Sequence, residues 1–212
     1  MAPSTQETEL KFLCDPADIG PLLGAAPQGP TEVRDLISTY FDTSDADLAA
    51  MGASLRVRQI GDAYVQTLKR GQGPVREEEE AELPGSGLDL AMPALKALLA
   101  GAKRRALAPC FSVGVSRTQR TVAHAAAQIE LAIDQGEIAA GDRAKAICEL
   151  ELELKAGSPQ ALFDLARDLS KTAPLYLSFD SKAAQGQMLR NGMDHAPRRN
   201  GKLPLSPDLT AP

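Results

Sequence analysis

Residues 146–155 read AICELELELK and give the clearest alternation of apolar and charged side chains in the chain. Successive side chains of a β-strand point to opposite faces, so Glu149, Glu151 and Glu153 share one face and the intervening leucines share the other. An alternating run of this length predicts a strand with one charged face and one apolar face.

The same pattern recurs at the N-terminus and in the middle of the chain. Residues 5–13 (TQETELKFL) place Glu7, Glu9 and Lys11 on one face, and Arg56 and Arg58 share a face in the run LRVR. Residues 75–83 (VREEEEAEL) favour a helix by composition, but the glycines and prolines that bracket them indicate a strand. The strands predicted in this way are 5–13, 31–42, 54–60, 64–70, 75–83, 110–122, 127–134 and 146–155, with a short run at 175–179.

Helices are predicted between these strands. Asp15-Pro16 is a helix start that leads to about Leu23, and apolar residues at helical spacing occupy residues 88–100. Ser158-Pro159 begins a third helix, and residues 181–190 form a last helical piece. Helices interspersed among hairpins predict an α+β protein built on a largely antiparallel sheet or barrel.

Composition excludes several classes of function. The chain has 212 residues, a formal net charge of −5, three cysteines and two histidines. These numbers argue against a disulfide framework, a zinc site, a histidine-centred triad and a generally basic nucleic-acid binder. We expect any metal to be a hard cation held by carboxylates. Because no signal peptide or apolar spanning run is present, we expect a cytoplasmic protein with no membrane partner.

The side of the strands that carries charge decides the function. A single alternating strand most often turns its charges to water. Several such strands, with amphipathic helices to cover their apolar faces, instead predict charged faces that turn inward on each other. Buried charges must be paired or coordinated, and carboxylates alone would repel a phosphate chain. The mixture of acids and bases therefore indicates a polyanion bound together with metal ions.

Eight ordered segments resemble the CYTH superfamily of triphosphate tunnel metalloenzymes. Glu7-x-Glu9-x-Lys11 resembles its ExExK signature, and the similarity extends over roughly residues 5–190. The remaining segments are YFDT at 40–43, LRVR at 55–58, QTLK at 66–69, Arg76 with the glutamates that follow it, IDQGE at 133–137, CELELEL at 148–154 and SKA at 181–183. The IDQGE and CELELEL segments are most similar to the bacterial inorganic triphosphatases.

The resemblance implies an eight-stranded antiparallel β-barrel that forms a tunnel, with helices packed outside, and hydrolysis of inorganic triphosphate to diphosphate and phosphate with Mg²⁺ or Mn²⁺. It assigns catalysis first to Glu7, Glu9 and Lys11. The residues that it implies as phosphate contacts are Lys11, Arg56, Arg58, Lys69, Arg117 and Lys182. Those implied as metal ligands are Glu7, Glu9, Glu149, Glu151, Asp134 and Glu78, with Glu80 as the alternative to Glu78. Four further charged residues lie on the same strand faces and are additional candidates for contacts in the tunnel, namely Arg76, Arg120, Glu153 and Lys155.

The resemblance also sets expectations for domains and partners. Residues 1–190 are expected to form the tunnel domain, and residues 191–212 a linker or disordered tail. Members of this branch often continue into a CHAD domain, so a longer protein with such a domain is one expectation. The expected partner is triphosphate or polyphosphate, with no nucleic acid; the sequence does not indicate an oligomeric state.

Two alternatives remain open. A nucleotide triphosphatase, a thiamine triphosphatase or an adenylate cyclase of the same fold would need a pocket for an organic group. Aromatic residues make up 4% of the chain and tryptophan is absent, which favours the inorganic substrate. A module that binds polyphosphate without hydrolysing it is the alternative outside enzymology.

Overall fold

The computed structural model describes residues 5–71 and 75–193, with side chains described for 8–71 and 77–193. The strands in this part of the chain are β1 (Thr5–Leu13), β2 (Thr31–Asp42), β3 (Ala53–Ile60), β4 (Ala63–Arg70), β5 (Val75–Leu83), β6 (Ala108–His124), β7 (Ala127–Ala140), β8 (Arg143–Ala156) and β9 (Tyr176–Leu177). The helices are α1 (Ile19–Ala25), α2 (Asp47–Ala50), α3 (Pro93–Leu98), α4 (Gly101–Arg105), α5 (Gln160–Leu169) and α6 (Lys182–Arg190).

The first eight strands are joined in a ring of antiparallel pairs. The order of neighbours is β5-β4-β3-β2-β6-β7-β8-β1, and β1 also pairs with β5. Residues 5–8 of β1 pair with β5, whereas residues 9–13 pair with β8. The two-residue strand β9 is added beside the end of β1. The predicted α+β class and antiparallel eight-strand arrangement are confirmed.

Two apolar clusters lie on the outer face of the ring. Leu10, Leu150 and Leu152 pack with Leu162 and Leu165 of α5, and α1 contributes Leu22 to the same outer cluster. Leu48, Leu55, Leu68, Met92 and Leu95 join α2 and α3 to β3 and β4 in the second. Amphipathic helices therefore cover the apolar faces of the strands, as the alternation predicts.

A third apolar cluster lies on the inner face, which the sequence did not predict. Leu36, Val113, Val115 and Ile138 are buried in it, together with Tyr40, Phe111, Ala140 and Ile147. Strand pairing places Ser38 opposite Arg58 and Val113 opposite Ser38, so this cluster shares the face of Arg58. Ala183 and Leu189 of α6 pack against it. Helix α6 thus lies inside the ring, while α1, α3 and α5 lie outside.

Some element boundaries differ from the predicted ones. The helix predicted at 88–100 begins only at Pro93, because the residue before a proline is disfavoured in helical geometry, and it ends at Leu98, because the backbone of Leu99 is extended. The separate helix α4 that follows it was not predicted. Strand β7 was predicted to end at Asp134 but continues to Ala140. It passes through Gly136, where the strand lies so close to β6 that a Cβ atom would be 2.0 Å from the carbonyl oxygen of Gly114. Helix α2 was not predicted.

The predicted tail falls mostly on residues 194–212, which lie outside the described part of the chain. None of the described helices combines the length and apolar character needed to span a membrane.

Gly186 provides a test of the inner packing of α6. A Cβ atom at this position would lie 2.1 Å from the ring of Phe111. We expect Gly186→Ala to lower the free energy of unfolding by about 1–3 kcal/mol, because a packed interior resists an added methyl group. Urea unfolding followed by circular dichroism measures the change.

The matched control for this substitution is Gly20→Ala in α1. Nothing lies within 4 Å of a Cβ at Gly20, so the substitution should be neutral or stabilising. The double variant Gly186→Ala, Phe111→Leu should recover part of the lost stability. Equal effects of Gly186→Ala and Gly20→Ala would contradict the inner position of α6.

Candidate functional site

A charged cavity of about 200 Å³ lies inside the ring. Its walls come from β1, β2, β3, β4, β5, β6 and β8 and from the start of α6. All six basic side chains that were predicted to contact phosphate line this one cavity, namely Lys11, Arg56, Arg58, Lys69, Arg117 and Lys182. The acidic side chains in its lining are Glu9, Glu78, Glu80, Glu151 and Glu153.

Lys182 is the centre of one wall of the cavity. Its Nζ lies 2.7 Å from a carboxylate oxygen of each of Asp134, Glu149 and Glu151. The Lys11 ammonium shares two of these acids, at 3.3 Å from Glu151 and 3.8 Å from Glu149. Ser181 caps α6 by accepting a hydrogen bond from the amide of Ala184, which fixes the helix turn that carries Lys182.

Arg117 completes the same wall. Its guanidinium donates two hydrogen bonds of 2.6 Å to the two carboxylate oxygens of Asp134 and one of 2.7 Å to Glu151. This bidentate contact fixes the orientation of the guanidinium relative to the carboxylate of Asp134. Asp134 and Glu149 are fully buried and do not belong to the lining, so they lie behind the basic side chains that they hold.

The pKa values on this wall follow from mutual compensation of charge. Burial would raise the pKa of the Glu151 carboxyl, but Lys182, Lys11 and Arg117 outweigh it and hold that pKa well below its ordinary value. Burial would lower the pKa of Lys182, but the carboxylates of Glu151, Asp134 and Glu149 raise it. Both groups are therefore charged at neutral pH.

The opposite wall is built by β3, β4 and β5. Lys69 lies 3.1 Å from Glu78, and Thr67 donates a 2.8 Å hydrogen bond to Glu80. Both glutamates line the cavity, whereas Glu77 pairs with Arg70 and Glu79 accepts from the amide of Ala94. The structure thus places Glu78 and Glu80 together inside the ring, and both stay candidates for the acidic ligand.

Arg56 and Arg58 bring two positive charges to this wall, and carboxylates neutralise these charges less closely than they neutralise Lys182 and Arg117. The buried Nε of Arg56 has no hydrogen-bond partner in the described part of the chain, and Arg58 donates to the hydroxyl of Ser38 at 3.0 Å. Burial, and then the charge of Arg56, lower the pKa of Arg58 to about 10. An anion between these guanidinium groups would supply the missing acceptor.

The donor set of the cavity fits a hard cation such as Mg²⁺. Glu9 lies directly opposite Glu153 across β1 and β8, and Lys11 lies opposite Glu151. No group of three or more acidic, histidine or cysteine side chains poised around a metal is found among the described residues. Mg²⁺ is usually held by one or two carboxylates together with substrate phosphates, so a facing pair of glutamates suffices. The side chain of Glu7 lies outside the described part.

The remaining candidates fall in different places. Glu153 lines the cavity, and Lys155 pairs with Glu130 and Glu153 at its edge. Arg120 instead donates a hydrogen bond to the carbonyl of Leu23, so it holds the C-terminal part of α1. The side chain of Arg76 lies outside the described part. The roles assigned to all of these residues stay predictions.

Sequence reasoning gave no role to four polar residues that also line the cavity, Tyr40, Ser54, Thr67 and Ser181. Ser54 shares its strand face with Arg56, and Thr67 shares its face with Lys69, so parity could have found both. Ser181 could have been found because it directly precedes Lys182 in the sequence. The inward position of Tyr40 follows only from its pairing with Arg56 across β2 and β3.

A second and larger cavity of about 490 Å³ adjoins the charged one. Tyr40, Ser54, Lys69, Ser181 and Ala183 line both. The larger cavity is mostly apolar, and its further lining includes Phe41, Phe111, Phe179, Met188 and Met193.

Comparison with known proteins gives consistent matches. The family model described as CYTH domain matches residues 5–186. A protein of Haemophilus influenzae named inorganic triphosphatase is 35% identical over 158 residues, which are 72% of this chain and 45% of that protein. The chain therefore spans less than half the length of this curated relative.

Solved structures show the same fold. A Hippeastrum protein, described as an adenylyl cyclase with a dominant triphosphatase activity, superposes with a TM-score of 0.61 at 20% identity, over 88% of this chain and 96% of that one. A Bacillus halodurans protein described as an adenylate cyclase gives a TM-score of 0.56 at 18% identity, over 79% of this chain and 90% of that one. At these identities the likeness concerns the fold alone.

The compensated wall predicts how stability depends on pH. The pKa values of Glu151 and Asp134 are lower in the folded than in the unfolded chain, so the unfolded chain binds protons first as the pH falls. Their contribution to the free energy of unfolding is therefore complete above the ordinary value of 4.5 for Glu151 and is lost below it. Urea unfolding at pH 7, 5 and 3.5 measures this loss.

Lys182→Met should be destabilising by about 3 kcal/mol at pH 7, because it leaves buried carboxylates without their partner. The penalty should shrink as the pH falls and these acids become protonated. The control is Lys155→Met at the half-exposed edge, for which we expect a change below about 1 kcal/mol. A pH-independent penalty for Lys182→Met would contradict the assigned charge network.

Proposed function

The chain belongs to the CYTH domain family, and we propose that it hydrolyses inorganic triphosphate to diphosphate and phosphate in the charged cavity, with Mg²⁺ or Mn²⁺. The observation that carries the proposal is the convergence of six basic side chains from four strands and α6 on one cavity of about 200 Å³. A linear polyanion is the ligand class that such a lining recognises. The inorganic triphosphatase named among the relatives supports the choice of substrate.

The acids in the lining are the proposed metal ligands. Glu9, Glu151 and Glu153 lie on the neighbouring strands β1 and β8 and present carboxylates to the cavity. We assign the metal to this side, together with Glu7 of the same strand face. A bound Mg²⁺ or Mn²⁺ would neutralise phosphate charge and make the phosphorus more electrophilic.

Substrate binding in this proposal is an exchange of partners. Lys11, Lys182 and Arg117 are paired with acids before the substrate arrives, so phosphate oxygens compete for the same hydrogen-bond donors. Asp134 and Glu149 remain behind as counter-ions and keep the ammonium and guanidinium groups aimed into the cavity. The positive groups are thus positioned before the reaction, which is the condition for effective stabilisation of the transition state.

The opposite wall holds the other end of the phosphate chain. Arg56, Arg58 and Lys69 would bind the equatorial oxygens of the transferred group and the leaving diphosphate. A water molecule attacks the terminal phosphorus in line with the leaving oxygen, and Glu78 or Glu80 accepts its proton. The water adds to the terminal phosphoryl group while diphosphate leaves, and no covalent enzyme intermediate is involved.

The test is the release of phosphate from inorganic triphosphate by the purified chain. We expect turnover with Mg²⁺ or Mn²⁺ and none after chelation. Lys11→Ala and Arg56→Ala should each lower kcat/KM by about 10²–10³-fold, as expected when a preorganised donor to the transition state is removed. Glu9→Gln should raise the metal concentration needed for half-maximal rate.

Lys171→Ala is the control, because Lys171 is 70% exposed, forms an ion pair with Asp168 and does not line the charged cavity. It should leave the rate unchanged. The proposal is contradicted by wild-type turnover that does not depend on metal or does not exceed that of the Lys11→Ala variant. Tight binding of triphosphate without product would select the non-catalytic binding module instead.

The larger apolar cavity favours a second candidate function. An organic group joined to the phosphate chain could occupy it, with Tyr40 and Phe111 stacked at a centroid distance of 4.6 Å in its wall. A nucleoside or thiamine triphosphatase, or an adenylate cyclase, would use such a group. Comparison of kcat/KM for inorganic triphosphate, ATP and thiamine triphosphate, with analysis of the products, separates these activities from the first candidate.

A further inference from the structure

Two cysteine thiols face each other where β1 meets β8. The Sγ atoms of Cys14 and Cys148 are 3.4 Å apart, although the residues are 134 positions apart in the sequence. Cys14 packs against the outer apolar cluster, and Cys148 alternates with Glu149, so the pair lies behind the wall of the charged cavity rather than in it. The proposed reaction uses neither thiol.

The backbone already has the geometry of a cross-strand pair. Leu13 lies opposite Glu149, and the amide of Cys14 donates a 3.2 Å hydrogen bond to the carbonyl of Cys148. Directly opposed residues of this kind have Cα atoms about 5.5 Å apart. Disulfides form over Cα separations of about 4.4–6.8 Å, so the two sulfurs can reach bonding distance by side-chain movement.

We propose that Cys14 and Cys148 are a reversible disulfide site that exchanges with a small-molecule disulfide such as glutathione disulfide. The disulfide bond of glutathione disulfide breaks, the bond between Cys14 and Cys148 forms, and two glutathione thiols leave with the two protons. The two protein thiols are oxidised and glutathione disulfide is reduced, so atoms and electrons balance.

Exposure sets the order of the two steps. Cys14 is partly exposed and Cys148 is buried, so the external disulfide meets Cys14 first and Cys148 then displaces the second glutathione. Burial and the adjacent thiol raise the pKa of Cys14 to about 12, so exchange is slow at neutral pH. The equilibrium state, rather than the initial rate, is therefore the quantity to measure.

The disulfide would link the end of β1 covalently to β8. Residues 9–13 of β1 are joined to β8 by non-covalent contacts, which are backbone pairing, apolar packing and the ion pairs of Lys11. A covalent link at Cys14 closes a long loop and restricts the unfolded chain. The oxidised form should accordingly unfold at a higher temperature than the reduced form.

The experiment equilibrates the folded chain at pH 8 with an excess of glutathione disulfide over glutathione. The variant used is Cys110→Ser, so that Cys14 and Cys148 are the two remaining cysteines. The Cys110 thiol contacts the carbonyl of Tyr40 and lies apart from this pair. We expect a mass loss of two hydrogens and a non-reduced tryptic species that links peptide 12–34 to peptide 146–155. Tm should rise by about 5–10 °C, and dithiothreitol should reverse both changes.

Cys110→Ser combined with Cys14→Ser is the matched control and should show neither the linked peptides nor the rise in Tm. A chain that stays reduced at equilibrium, or that carries only glutathione adducts on separate cysteines, overturns the proposal. These measurements use no phosphate substrate, so their result is independent of the proposed triphosphatase activity.

Discussion

Charge buried inside a closed ring of strands is the constraint on which the rest of the structure depends. Lys182 and Arg117 are removed from water and are stable there because Asp134, Glu149 and Glu151 lie within hydrogen-bonding distance. Removal of either sign would leave an uncompensated charge in a medium of low polarity. The ring therefore carries acids and bases together, and this pairing produces a cavity that is charged yet preorganised.

The interior is divided between this charged half and an apolar half filled by α6. The two halves meet at the first turn of α6, where Lys182 enters the charge network and Ala183 contacts the apolar cluster. Gly186 allows the helix to lie against Phe111 without an intervening side chain. One helix thus both closes part of the ring and delivers a basic group to the cavity.

Much of this arrangement could be predicted because strands have a strict two-residue period. The alternation in β1 and β8 correctly separates Glu9, Lys11 and Glu151, which face the cavity, from Leu10 and Leu152, which pack outside. The two-residue period shows which face of a strand a side chain occupies, but not how deeply the side chain is buried on that face. It therefore could not show that Glu149 is covered by its neighbours while Glu153 lines the cavity. The inner position of α6 also escaped prediction, because it depends on the space left by distant side chains.

The double pairing of β1 has a consequence for how the chain is made. The N-terminal half of β1 pairs with β5, but its C-terminal half pairs with β8, which begins at Arg143. During synthesis the first strand therefore leaves the ribosome long before its second neighbour exists, and its edge stays exposed meanwhile. Completion of the ring is a late event governed by contacts of large sequence separation, and such contacts slow folding.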